Sequence, residues 1–230
     1  MNYRFCSGEV NRKLRTYHSG ETEDLNTVIH QILPDYDEIY LVGFSLGGNI
    51  VLKYSGDGIY PINPKIKAVS AISVLVDLYA GAKELSKLKN RIYSNRFLKT
   101  LKKKIRLKHN QYPEDVNIER LKEVNSLIDF DEIFTSSING FENARDYYSK
   151  CNSKQFLMDI RIPTLIINAK DDPFMPSSCY PVAEAKESKY LNLMTPSYGG
   201  HVGFFDPRKK YYWHEEQILD FFKKPILNQS

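Results

Sequence analysis

The sequence predicts an α/β protein in which a mostly parallel sheet is flanked by helices. Two apolar runs of strand length, at 38–43 and 67–73, are separated by a helical pattern, and a strong third strand pattern occupies 163–169. The long Lys- and Asn-rich stretch between the last two runs has helical periodicity, which indicates a helical insertion. With 42% hydrophobic and 26% charged residues, the 230-residue chain has the composition of an ordinary globular protein.

The remaining elements follow from their boundary signals. Acidic residues at 21–24 begin a periodic apolar run that Pro34 ends, which predicts a helix before the first strand. A second helix is expected from Leu46 to Tyr54 and a last one around 213–222, and 190–194 is a weaker strand pattern. We divide the chain in three: residues 1–77 form the first part of the core, residues 78–160 a helical cap or lid, and residues 161–230 the second part of the core.

Positive charge is concentrated in the predicted cap. Residues 83–108 include eleven Lys or Arg residues and a single acid, Glu84. The simplest interpretation is a solvated helix face, and the alternative that the charge permits is peripheral contact with a membrane or an anionic ligand. No nucleic-acid-binding motif accompanies this segment, so we expect no nucleic-acid partner.

The cysteines and the N-terminus bear on the cellular compartment. Cys6, Cys151 and Cys179 are widely spaced and form no CxxC motif, which predicts neither a disulfide framework nor a zinc site. The sequence has no apolar signal segment and no run of about 18 apolar residues, so we expect a cytoplasmic protein with reduced thiols. No metal-ligand cluster or phosphate-binding glycine loop suggests a cofactor, and we expect neither a metal nor any other cofactor.

The most informative motif is G-x-S-x-G at 43–47, between a predicted strand and a predicted helix. Such a sharp strand-to-helix turn exposes the serine hydroxyl above the sheet, beside a helix N-terminus that favours negative charge. Ser45 is therefore the predicted nucleophile, and the backbone N–H of Leu46 is a predicted donor to the oxyanion. A serine hydroxyl needs a base to take its proton.

The partners of Ser45 are expected later in the chain, in the order acid and then histidine. Asp171 and Asp172 follow the third strand and compete for the role of the acid; we favour Asp172 because Pro173 enforces the next turn. Among five histidines, His201 is favoured as the base because it lies in a glycine-rich loop after the last strand pattern. The other four, at 18, 30, 109 and 214, lie in helical or polar segments and are expected to be surface or packing residues.

Taken together, these motifs resemble the α/β-hydrolase superfamily, specifically its YheT-like branch, the AB hydrolase 4 family. The similarity covers nearly the whole chain and includes the segments 4–9, 17–24, 43–49, 141–148, 168–174 and 199–204. The resemblance implies a truncated α/β-hydrolase fold with a helical cap insertion, a Ser45–Asp172–His201 triad, and an esterase or lipase acting on small-molecule or lipid esters.

The resemblance also implies that the N-terminal third of the family fold is missing from this sequence. In the family that third supplies the first strands and a His-Gly loop with the second oxyanion donor, so only Leu46 can be assigned here. The strand near 39–42 is then expected at an exposed sheet edge, where a second copy of the chain could pair. The leading hypothesis is a serine-dependent carboxylesterase; the alternatives are acyl transfer to an alcohol and an impaired remnant that binds an acyl ligand or a partner chain.

Overall fold

The computed structural model describes residues 1–223 and divides into two compact units. One unit comprises residues 19–77 and 152–230, of which 224–230 lie outside the described residues; the other comprises residues 1–18 and 78–151. We refer to them as the sheet unit and the helical unit. The three-part division at 77 and 160 stays a prediction about the domains of the chain.

The sheet unit contains four parallel strands in the order of the sequence: β1 Ile39–Phe44, β2 Ile66–Ile72, β3 Thr164–Ile167 and β4 Leu191–Met194. Its helices are α1 Thr22–Ile32, α2 Leu46–Gly56, α8 Val182–Glu187 and α9 Trp213–Lys223, with short 3₁₀ turns at 154–159 and 177–179. Every strand and helix that the sequence predicted in this unit is present, and the predicted α/β class with a parallel sheet is confirmed.

Each face of this sheet carries its own core, because successive side chains of a strand point to opposite faces. Ile166 belongs to a cluster with Val69 and with residues of α1 and α2, whereas Leu165 and Ile167 pack with Ile218 of α9. Within the described chain, β1 lies at one edge of the sheet and alternates between buried and more exposed side chains. The predicted edge position of this strand is therefore confirmed, and pairing with a second copy stays a prediction.

The helical unit contains α3 Leu78–Leu85, α4 Arg91–Gln111, α5 Leu127–Phe130, α6 Ser136–Asn139 and α7 Ala144–Cys151, with 3₁₀ turns at 88–90 and 118–122. As predicted, no strand occurs between residues 78 and 160 of the described chain. The long helix α4 buries Ser94, Leu98, Ile105 and Lys108, whose spacings of four, seven and three residues put them on one face. Residues 1–18 belong to this unit: the buried ammonium group of Lys108 donates to the carbonyl oxygens of Asn11 and Lys13.

A turn of π-helix at Asp131–Thr135 joins α5 to α6. Within it, the carboxylate of Asp131 accepts hydrogen bonds from Thr135 Oγ1 at 2.6 Å and from Tyr148 Oη at 2.7 Å. Burial raises the pKa of this carboxyl to about 6, although the two hydrogen bonds oppose the rise. Burial is also the largest cause of the raised pKa of Tyr148, and the neighbouring Asp131 adds to it, so the phenol keeps its proton and donates it in a hydrogen bond to the carboxylate.

Candidate active site

The G-x-S-x-G motif forms the turn between β1 and α2. Ser45 has φ 50° and ψ −114°, a left-handed conformation that costs a non-glycine residue about 1–3 kcal/mol. Its N–H donates to the carbonyl oxygen of Ile72 at 2.8 Å, which continues the ladder between β1 and β2 by one residue. The surrounding sheet therefore enforces the strain at this serine, as the motif predicts.

Gly43 of the motif and Gly48, which directly follows the motif, are required by close approach of the backbone. A Cβ atom on Gly43 would lie 2.2 Å from the carbonyl oxygen of Gly47, and one on Gly48 would lie 2.8 Å from Cβ of Val74. These distances are shorter than any carbon contact that a folded chain tolerates. Strand and helix can consequently meet at Ser45 only because these positions have no side chain.

Asp172 lies in the turn after β3, at the carboxyl edge of the sheet where Ser45 also lies. Its side chain is fully buried, and its Oδ1 accepts the N–H of Phe174 at 2.9 Å. The backbone N–H of Asp172 donates to the carbonyl oxygen of Ala169, which closes the turn. This carboxylate is thus held in one orientation by its own loop.

His201 lies in a compact loop between β4 and α9. The phenyl ring of Phe204 fills the space beside Gly199, where a Cβ would lie 2.5 Å from the ring, and the N–H of Phe204 donates to the carbonyl oxygen of Gly199. Three residues of this loop, Gly200, Val202 and Phe204, have positive φ. The imidazole also packs against the ring of Phe174, with centroids 4.4 Å apart, so both its loop and its ring contacts fix it.

The three side chains meet in one hydrogen-bonded chain. Nδ1 of His201 lies 2.8 Å from Oδ2 of Asp172, and Nε2 of the same ring lies 3.0 Å from Oγ of Ser45. The imidazole side chain is 17% exposed, the carboxylate is buried and the serine is half-buried. An acid buried behind the ring and a hydroxyl on its accessible side is the arrangement that activates a serine.

Asp171, the competing acid, has a different position. Its Oδ1 accepts the N–H of Gly200 at 2.8 Å, and no contact with the imidazole of His201 is found among the described residues. Asp171 therefore holds the backbone of the histidine loop, whereas Asp172 contacts the ring. The two adjacent carboxylates contact successive residues of the same loop.

Ser73 and Asn168 also support the site, although neither was among the site residues predicted from the sequence. Ser73 follows β2 as Ser45 follows β1: its φ is also 50°, and its N–H donates to the carbonyl oxygen of Ile167 at 2.8 Å. Its buried Oγ accepts the N–H of Val202 in the histidine loop at 3.0 Å. No short motif marks such contacts, because the partners are 129 residues apart.

Asn168 connects the loops that follow β2 and β3. The fully buried amide accepts the N–H of Val74 at 2.9 Å and donates to the carbonyl oxygens of Val74 and Cys179. A similar role is played at α2 by Asn49, which donates to the carbonyl oxygen of Ser19 and accepts the N–H of Ser153. Both asparagines satisfy buried backbone groups of loops that carry or adjoin the site.

The other four histidines have different surroundings. His18 packs between the rings of Phe141 and Tyr147, and His214 is buried among aromatic rings, where burial lowers its pKa. The remaining two each contact a backbone carbonyl oxygen from Nδ1, His30 that of Asn26 and His109 that of Val116.

Leu46 is the first residue of α2, so its N–H has no earlier helical carbonyl to bind. It follows Ser45 directly at the positive end of the helix dipole, a position that suits an oxyanion.

Within residues 1–223 we find no group of three or more His, Cys, Asp or Glu side chains arranged to hold a metal ion. None of the described helices has the length and apolarity needed to cross a membrane.

Comparisons with known proteins agree with this fold. A family model described as alpha/beta hydrolase fold matches residues 4–207. Among solved structures, an alpha/beta fold family hydrolase from Bacillus anthracis str. Sterne superimposes with a TM-score of 0.54 at 17% identity and covers 96% of this chain and 79% of its own. An esterase from Exiguobacterium antarcticum gives a TM-score of 0.52 at 17% identity, with the same coverage.

Curated relatives are more similar in sequence. The protein named "Putative esterase YheT" from Escherichia coli is 35% identical over 96% of this chain and 66% of its own length. Phospholipase ABHD3 of Homo sapiens is 33% identical over 92% of this chain and 53% of its own, and monoacylglycerol lipase of Saccharomyces cerevisiae is 29% identical over 97% and 51%. The chain thus spans about half to two thirds of the length of these relatives.

A parallel sheet with a strained serine at a strand-to-helix turn, and a histidine and an acid on later loops, defines the class of α/β hydrolases. The chain belongs to the α/β-hydrolase family and, within it, to the YheT-like branch.

Proposed function

We propose that the chain is a serine-dependent hydrolase of carboxylic esters, with Ser45 as nucleophile, His201 as base and Asp172 as acid. The observation that carries this proposal is the pair of contacts on one imidazole, 2.8 Å to the carboxylate and 3.0 Å to the serine hydroxyl. Both distances are those of hydrogen bonds, and both ring nitrogens are used.

Asp172 orients the imidazole in this proposal. A carboxylate can only accept, so it selects the tautomer with the proton on Nδ1 and leaves Nε2 free to accept the proton of Ser45. When that proton arrives, the ring becomes an imidazolium and the buried carboxylate stabilises its charge. The N–H of Phe174 on the other carboxylate oxygen keeps the acid from rotating away.

The reaction then proceeds in two halves. Oγ of Ser45 bonds to the ester carbonyl carbon while its proton moves to Nε2 of His201, and the carbonyl oxygen becomes an oxyanion. Collapse of this intermediate breaks the bond to the alcohol oxygen, which leaves with the proton from Nε2. Water next attacks the acyl carbon and gives a proton to Nε2. The bond between the acyl carbon and Oγ of Ser45 then breaks, Oγ takes the proton from Nε2, and the acid product departs.

We assign the N–H of Leu46 as one donor to the oxyanion. Leu46 directly follows the nucleophile and is the first residue of α2, so its N–H has no acceptor within the helix. A single donor of this kind contributes about 10²–10³ in rate. The α2 dipole adds to its effect because the charge develops within the first turn.

A lipid ester is the substrate class that we propose. The relatives are named as an esterase, a phospholipase and a monoacylglycerol lipase, all of which act on ester bonds, and the last two on lipids.

In keeping with reduced thiols, Cys6, Cys151 and Cys179 are all free; the cytoplasmic location remains a prediction.

Labelling with a fluorophosphonate tests the catalytic proposal directly. The 230-residue chain is expected to form a covalent adduct, and peptide mapping is expected to place the adduct on Ser45. Ser73 is the internal control, because it has the same left-handed φ without an imidazole partner in the described chain and should carry no adduct. A folded chain that is neither labelled nor able to hydrolyse p-nitrophenyl esters faster than Ser45→Ala would contradict the proposal.

A series of p-nitrophenyl esters and monoacylglycerols of increasing acyl length tests the substrate class. Long-chain esters are expected to give the higher kcat/KM. A preference for acetate over every longer chain would contradict the lipid ester while leaving the serine chemistry intact.

A further inference from the structure

The start of α4 and the turn before it form an exposed apolar tip. Leu88 is 84% exposed and Ile92 is 82% exposed, although both are aliphatic. Two aromatic side chains lie one and five residues further along the helix: Tyr93 is 47% exposed and Phe97 is 40% exposed. Single exposed apolar residues are ordinary, but four of them within ten residues of one helix terminus form a patch that calls for an explanation.

Packing of the helix does not account for this tip. α4 is held in the helical unit by Leu98, Ile105 and Lys108, which lie on its buried face. Ile92 lies on the opposite side, next to the uncharged Asn95, and three basic side chains follow it there at spacings of four, three and four residues. These residues are Arg96, Lys99 and Lys103, and all three are exposed.

The charge of this surface is almost wholly positive. The only acid between residues 83 and 108 is Glu84, and its carboxylate is already paired with Lys87 at 2.6 Å and Lys89 at 2.7 Å. These two ion pairs lower the pKa of Glu84, so it stays ionised and occupied. The basic stripe on the outer face of α4 therefore has no acid of its own segment to neutralise it.

We propose that this surface, comprising Leu88, Ile92, Arg96, Lys99 and Lys103, docks the protein on a bilayer that contains anionic lipids. Aliphatic side chains beside a basic stripe on one helix match the two parts of such an interface: the tip enters the acyl boundary and the stripe contacts the headgroup phosphates. A nucleic acid would be matched by the charge but would leave Leu88 and Ile92 in water. The proposal rests on the helical unit alone and does not depend on the chemistry of Ser45.

Vesicle flotation tests the docking surface with the full chain. Binding is expected to vesicles of phosphatidylcholine mixed with phosphatidylglycerol, with an affinity at least tenfold above that for phosphatidylcholine alone, on the basis of about fivefold for each basic residue at the surface. Raising the salt concentration should weaken binding, because exposed charges are screened. Equal binding to both vesicle types would overturn the proposal.

Two sets of variants separate the charge from the apolar tip. The triple variant Arg96→Glu, Lys99→Glu, Lys103→Glu is expected to lose binding by at least about tenfold. The matched control is Lys186→Glu, Lys189→Glu, Lys210→Glu, which makes the same change in net charge at exposed positions of the sheet unit and should bind as the wild type does. Equal loss in both triple variants would show that net charge alone is responsible and would overturn the proposal.

The apolar contribution is tested at constant charge. Leu88→Ser with Ile92→Ser is expected to weaken vesicle binding by at least about tenfold, which corresponds to the loss of only about two buried CH₂ groups at about 0.8 kcal/mol each. Leu219→Ser, at an exposed leucine of α9, is the matched control and should leave binding unchanged. Retained binding of the double variant, or binding to duplex DNA or RNA that exceeds binding to anionic vesicles, would contradict docking on a bilayer. All replaced side chains are exposed, and circular dichroism verifies that each variant is folded.

Discussion

Replacing Asp172 by Asn changes one atom of the proposed triad and reverses its hydrogen bonding. In the wild type, Oδ1 accepts the N–H of Phe174 and Oδ2 lies 2.8 Å from Nδ1 of His201. In the variant the amide oxygen can keep the contact to Phe174, which turns the NH₂ group toward the imidazole. Because an NH₂ group donates, the ring is expected to carry its proton on Nε2, where it can no longer accept from Ser45.

The expected loss is large because the wrong tautomer abolishes base catalysis. We expect kcat to fall by about 10⁴-fold, the effect of this change in a serine triad. Stability should change little, since the side chain keeps its volume and one of its two hydrogen bonds. Asp171→Asn is the matched control: the amide oxygen can still accept the N–H of Gly200, and a loss below about fivefold is expected.

The assay is the rate of fluorophosphonate labelling of each variant, together with p-nitrophenyl ester hydrolysis and thermal unfolding. Wild-type labelling in Asp172→Asn would refute the assignment of the acid. Equal losses in the two asparagine variants would refute the distinct roles of the adjacent aspartates.

Three further predictions concern the turn at Ser45, the histidine loop and the buried acid of the helical unit. Gly43→Ala should lower the free energy of unfolding by about 2 kcal/mol or more in denaturant titrations, because its Cβ would lie 2.2 Å from the carbonyl oxygen of Gly47. Ser73→Ala should slow labelling about tenfold with an unchanged attachment site, because it leaves the N–H of Val202 without its acceptor. Asp131→Asn should remove a pH dependence of stability: the folded pKa of about 6 lies above the ordinary 3.8, so the stabilisation is present below pH 4 and about 3 kcal/mol is lost as the pH rises through 6.

Each of these three predictions can be contradicted by a specific result. A Gly43→Ala chain as stable as the wild type would show that strand and helix can separate at the turn without cost. Ser73→Ala with wild-type labelling would show that the histidine loop needs no support from β2. If the difference in unfolding free energy between wild type and Asp131→Asn did not change between pH 4 and pH 7, burial would not control that carboxyl.

The strands and the residues of the proposed triad were accessible from the sequence because each has a local signal. A buried strand is a run of apolar residues, as in β3. Ser45 lies between Gly43 and Gly48, where an added Cβ would come within 2.2 and 2.8 Å of neighbouring atoms. The choice between Asp171 and Asp172 rested on Pro173 alone in the sequence. The structure places the carboxylate of Asp172, and not that of Asp171, at the imidazole.

Other features could not be predicted because their partners are distant in sequence and often backbone atoms. Ser73 binds an N–H group 129 residues away, and Asn168 binds Val74, 94 residues earlier. The packing of residues 1–18 with the helical unit depends on Lys108, whose charge predicted a solvated side chain rather than a buried one that donates to carbonyl oxygens. The π-helical turn at 131–135 likewise leaves no periodicity that differs from an α-helix over so few residues.

The two serines at the ends of β1 and β2 show what backbone strain can and cannot identify. Ser45 and Ser73 have the same φ and occupy equivalent positions at neighbouring strand ends. Each extends a strand ladder by one hydrogen bond, Ser45 that of β1 with β2 and Ser73 that of β2 with β3. A search for nucleophiles that used only a positive backbone φ at serine would therefore find both residues. The hydroxyl of Ser45 faces an imidazole nitrogen and that of Ser73 a backbone N–H, so the neighbouring group, and not the backbone strain, distinguishes the two serines.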